Sequence, residues 1–91
     1  MNDRWYEVRE VWTGLSGGLR FDEALDYSAD KADAIARAKH YLRESDRVAY
    51  DMGSDSMVGQ GYDRVTIEVW KMDGDKRVSR VWAQSKDYDD D

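Results

Sequence analysis

Residues 62–84, YDRVTIEVWKMDGDKRVSRVWAQ, decide the fold. Val65, Ile67 and Val69 alternate with Arg64, Thr66, Glu68 and Trp70, the period of two that sends successive side chains to opposite faces of a strand. Asp73-Gly74 then interrupts the run with a dipeptide suited to a tight hairpin turn, because glycine takes positive φ without steric cost. Residues 77–84 return as the partner strand. An isolated hairpin is barely stable in water, so the rest of the chain has to supply more sheet and a second layer.

Upstream lies that layer. Ser28 or Asp30 offers an N-cap oxygen to a helix over residues 31–43. Ala32, Ile35, Ala36, Lys39 and Leu42 fall at helical spacing with Ala38 and Tyr41 beside them, which predicts a small-residue face packed on a sheet. Asp22, Glu23, Asp26, Asp30 and Asp33 precede Arg37, Lys39, Arg43 and Arg47, a charge order that suits the helix macrodipole. Residues 47–50 read either as a short strand or as an extension of the helix exit. Residues 51–61 have loop chemistry but include Met52, Met57 and Val58, so this loop is expected to fold over something apolar.

Further upstream, residues 4–12, RWYEVREVW, form a strand rich in aromatic and β-branched side chains. Glycine-rich residues 13–18 follow, and Leu19, Phe21, Glu23, Leu25 and Tyr27 then alternate with Arg20, Asp22, Ala24 and Asp26 as a second strand. The order is β-β-α-β-β, an α+β domain with an antiparallel sheet of about four strands and one helix across one face; strand order stays open. One domain is expected over residues 1–86, with residues 87–91 an acidic, disordered tail.

Composition narrows the chemistry. Ninety-one residues hold one core, and the absence of cysteine removes disulfides and thiolate zinc sites as staples. No stretch approaches the roughly 18–20 apolar residues of a membrane span, and the N-terminus lacks a signal-peptide layout, so the cytoplasm is the expected compartment and no membrane partner is expected. The net charge is −6, yet the four aspartates of residues 87–91 leave residues 1–86 with 14 basic and 16 acidic side chains.

Catalysis finds little support. Residues 14–18, GLSGG, match G-x-S-x-G, but a strand follows where a nucleophile elbow needs a helix. His40, the only histidine, is expected on the solvent-facing side of the helix. Nothing marks one of Asp22, Glu23 and Asp26 as a carboxyl with a raised pKa. Neither Asp51, Asp55 and Asp63 nor Asp87, Asp89 and Asp90 follow a calcium-loop ladder, so no metal or other cofactor is expected. Trp5, Trp70, Arg64, Arg77 and Arg80 have the composition of a single-strand stacking face, but the acidic sign of the chain opposes phosphate binding and direct nucleic-acid contact is disfavoured.

The apolar residues divide between two faces. If the helix covers Tyr6, Val8, Leu25, Val65, Ile67 and Val69, alternation sends Trp5, Val11, Trp70, Met72 and Val81 to the other side. Such a patch needs either a partner or a lid made by residues 52–58.

The strand at residues 4–12, the segment SADKADAIARAK at residues 28–39 and the hairpin at residues 65–82 together resemble small phage and mobile-element proteins, among them anti-CRISPR inhibitors on a strand-helix-hairpin plan. The resemblance implies stoichiometric binding to a nucleic-acid-handling complex and occlusion of its DNA or RNA site. The expected function is therefore that of an acidic, non-enzymatic binding module or inhibitor. Trp5, Trp70, Met72 and Val81 are its expected anchors, and Asp22, Glu23, Asp26, Asp30 and Asp33 are expected to steer it to a basic protein partner. The alternative is a homodimer that consumes the aromatic face.

Overall fold

The computed structural model describes residues 4–14, 18–50 and 56–88. Five elements follow one another: β1 (Arg4–Thr13), β2 (Arg20–Ser28), α1 (Lys31–Tyr50), β3 (Arg64–Asp73) and β4 (Lys76–Asp87). The four strands form one antiparallel sheet in the order β2-β1-β3-β4. Each hairpin contributes one central and one edge strand, and α1 packs mainly on β3 and β1.

The chemistry at each boundary is local. Asp30 caps α1 by accepting the Asp33 backbone N–H at 2.9 Å. The β3–β4 turn is held by Gly74 at φ 59°, where its lack of a Cβ removes the left-handed penalty. Gly14 meets a different demand. A Cβ there would lie 2.7 Å from the Gly61 carbonyl, so the end of the first hairpin and the turn before β3 can approach only because the position is bare. The Asp63 N–H donates to the Thr13 carbonyl at 3.0 Å beside it.

Under the helix, Val8, Trp12, Val65, Ile67 and Val69 are fully buried against Ala34, Ala38, Leu42 and Ala49. A buried Val or Ile contributes about 1.5–3 kcal/mol relative to exposure, and close packing makes that contribution specific to shape.

Five expectations need correction. The helix runs seven residues past Arg43, to Tyr50, because Ser45 and Ala49 prolong the line of Ala34, Ala38 and Leu42. That line is also the buried face, so Ala32, Ala36 and Lys39 point outward. Residues 87 and 88 are no disordered tail: β4 continues to Asp87, and Tyr88 is 4% exposed. The bulge that leaves Val81 unpaired, between Val69↔Trp82 and Trp70↔Arg80, breaks the alternation and turns Val81 toward the helix-side core. Finally, Met57 and Val58 pack on that same core, with their N–H groups on the Val48 and Ala49 carbonyls, so this part of the expected lid closes the helix end and not the second face. Ser16 and residues 51–55 and 89–91 lie outside the described residues.

Candidate functional site

Register places Trp5, Glu7, Arg9 and Val11 of β1 on the face away from α1, opposite Met72, Trp70, Glu68 and Thr66 of β3. Tyr27, Ala24 and Asp22 of β2 and Arg80, Ala83 and Ser85 of β4 flank them. Among the described residues no second layer covers this face, yet Val11 and Met72 are only 4% exposed. The cover is the side-chain lattice itself, in which long charged residues lie with their stems over the apolar floor.

The lattice is continuous. Arg20 contacts Asp22 at 3.2 Å, Arg9 bridges Asp22 at 2.6 Å and Glu7 at 2.9 Å, and Arg77 approaches Glu7 at 3.4 Å. The Arg77 guanidinium also lies 5.8 Å from the centre of the Trp70 ring. The Trp70 indole donates to Glu68 at 2.9 Å, and Glu68 accepts Arg80 at 3.0 Å. Burial by itself would raise Asp22, but the bonds from Arg9 and Arg20 outweigh it and hold that carboxyl below its ordinary value. Burial likewise opposes the Arg9 cation, whose bonds to Glu7 and Asp22 prevail and raise it.

At one corner the lattice stops and aromatic surface begins. Trp5 and Tyr27 meet edge to face at 5.0 Å, and the Trp5 indole donates to the Gly74 carbonyl at 3.0 Å. With Ser28 and Ala29 they line an open depression of about 420 Å³. Tyr27 is 56% exposed. Partly exposed aromatic rings beside an open depression have the composition in which interface anchors are enriched.

The expected anchors therefore separate. Trp5 and Trp70 are half-buried on the open face, Met72 is buried in its floor, and Val81 belongs to the other side. The expected acids separate too. Asp22 is held in the lattice. Asp26 accepts the Tyr27 backbone N–H, Arg37 and Tyr41, which together lower its pKa. Asp33 is lowered by bonds from Ser28 and Arg37, and Asp30 caps the helix. Glu23, at the β2 edge, is the only one of the five with no side-chain bond or ion pair. Arg64, Arg77 and Arg80 are all ion-paired, to Asp87, Glu7 and Glu68. Tyr27 escaped the sequence reading because simple alternation keeps it on the face of Leu25, whereas the bulge at Leu25 leaves that residue on the helix side and sends Tyr27 to the open face opposite Glu7.

His40 is exposed, with its ring 5.8 Å from that of Tyr41. No group of three potential metal ligands forms among the described residues, and no helix is long and apolar enough to cross a membrane.

A buried carboxyl stands on the helix side. Glu10 is 8% exposed and accepts the Trp12 indole N–H. Burial raises its pKa, the Trp12 bond partly offsets this, and Glu23 across the strand pair raises it further. The folded state thus holds this proton more tightly, so Glu10 costs stability as pH rises above the unfolded carboxyl range. Glu10→Gln keeps an acceptor for Trp12. It is expected to gain on the order of 1 kcal/mol over the native chain at pH 7, the low end of the cost of an uncompensated buried group. Urea unfolding at pH 4 and pH 7 checks this: the advantage should shrink at pH 4, and an equal advantage at both would refute it.

The sequence matches no protein-family model, and neither a curated protein nor a solved structure shows significant similarity to it.

Proposed function

We propose that the chain is a non-catalytic binding module that acts by stoichiometric occlusion of a protein surface, with the Trp5–Tyr27 corner of the open sheet face as its anchor. The carrying observation is that corner: two aromatic rings at 5.0 Å beside a depression of about 420 Å³, on a face that no layer covers among the described residues. Trp70 extends the contact, and Met72 serves as floor. A basic partner surface, such as that of a nucleic-acid-handling complex, is the kind the net charge of −6 attracts over distance. The acids of residues 22–33 contribute little to the contact itself, because Arg9, Arg20, Arg37 and the helix cap occupy four of the five.

Tyr27→Ala is the cleanest test, since this ring is largely exposed and its removal leaves the core intact. With a partner captured by a photo-crosslinker at Tyr27, Tyr27→Ala and Trp5→Ala are expected to weaken binding at least about tenfold, which is ~1.4 kcal/mol. Deletion of residues 89–91 should change it little. The opposite ranking sinks the aromatic anchor. If light scattering instead shows a dimer that Tyr27→Ala dissociates, the occupant of the corner is a second copy of this chain.

A further inference from the structure

The outer face of α1 carries a row of bases that helix stability does not explain. Lys39, Arg43 and Arg47 stand at i, i+4 and i+8, all exposed, opposite the buried line of Ala34, Ala38 and Leu42. The macrodipole favours cations only in the last turn, which here holds Arg47. Lys39 and Arg43 lie about three and two turns before the helix end at Tyr50, given 3.6 residues per turn. Like charges at i, i+4 repel, so the row works against the helix that carries it.

These bases are also unlike most others in the chain. Arg9, Arg20, Arg37, Arg64, Arg77, Arg80 and Lys86 are all ion-paired. Lys39 and Arg43 pair with nothing among the described residues, whereas Arg47 is paired to Glu44 at 3.4 Å but keeps 82% of its side chain exposed. Arg4, Lys31, Lys71 and Lys76 are unpaired as well, but Lys31 opens the helix between Asp30 and Asp33, and the others sit around the β3–β4 turn with Asp73 and Asp75 among them. On α1 the i, i+4, i+8 line itself holds only bases, with Glu44 spent on Arg47 and Asp46 on Lys86, and Ala32 and Ala36 ahead of it leave room for close approach.

We propose that this face docks an acidic helix of a protein partner. The row advances about 6 Å per step, which carboxylates at i, i+4 on a facing helix reproduce. Nucleic acid fits less well: its binding grows with the number of phosphates neutralised, and three bases on a chain of net charge −6 neutralise few. This surface lies on the opposite side of the two-layer domain from the Trp5–Tyr27 corner, so it stands or falls independently of that site.

The test uses a labelled synthetic helical peptide with glutamates at i, i+4 and i+8, and fluorescence anisotropy on the full chain. Saturable binding is expected at about 25 mM salt, weakened at least about tenfold by Arg43→Glu and by about 300 mM salt. Arg43→Glu places a carboxylate between two bases at helical spacing, so its melting temperature should hold or rise, which separates lost binding from lost folding. Absence of saturable binding, unchanged binding in Arg43→Glu, or tighter binding of a DNA duplex of equal charge would each overturn the proposal.

Discussion

Tyr88→Ala should lose about 3 kcal/mol of unfolding free energy, the range of large aromatic truncations in cores. Tyr88 lies beyond the last strand yet is 4% exposed. Its ring stacks on Trp12 at 5.7 Å and meets the edge of Tyr50 at 5.4 Å. Its hydroxyl sits 2.6 Å from Ser45 Oγ and donates to Asp46 at 2.9 Å, while Lys86 reaches the same carboxylate at 2.7 Å. Burial, with Asp46 and Tyr50 nearby, raises the phenol to about 12 despite the Ser45 bond. The residue thus bolts the end of β4 to the helix. Tyr88→Phe, which keeps the ring, should cost only about 1 kcal/mol, the worth of a typical hydrogen bond. Urea midpoints of the two variants check the ratio, and a near-neutral Tyr88→Ala would show that the ring contributes nothing.

Arg9→Leu is expected to cost about 2 kcal/mol, somewhat less than removal of one partner from a fully buried pair because this face meets water. Side-chain exposure is 14% for Arg9 and 8% for Glu7, so the loss strands a nearly buried carboxylate with only Arg77 at 3.4 Å. Asp22 would keep Arg20 alone, at 3.2 Å. The double variant Arg9→Leu with Glu7→Leu should be more stable than Arg9→Leu, since it removes the stranded charge as well. A double-mutant cycle by chemical unfolding measures this coupling. If the double variant is instead the less stable by the full cost of a second loss, the lattice is a set of independent surface contacts.

The fold was largely legible because its signals are local: alternation in residues 62–72, the Asp73-Gly74 turn and an N-cap with acids after it all act within a few residues. What escaped reading depends on distance. Tyr88 looked like tail because aspartates surround it in sequence, whereas its partners Trp12, Ser45 and Asp46 come from elements far away. Val81 was assigned a face by counting, and one unpaired residue reverses the count. The open-face positions of Trp5 and Trp70 were identifiable from alternation, but the ion pairs that occupy Asp22, Asp26 and Asp33 join different strands and the helix, and composition cannot show which charges are spent internally.

The sheet's irregularities have a pattern of their own. The central β1–β3 ladder runs without a shift, while every register shift falls in a pair that includes an edge strand, leaving Leu25, Val78 and Val81 out of step. Bulges twist an edge away from the flat geometry another strand requires, and charged side chains along it add repulsion and hydration. β4, twelve residues long, carries Lys76, Arg77, Arg80 and Lys86 along that edge. In a chain this short and this rich in strand, these features oppose growth into an intermolecular sheet by addition of another strand at β4.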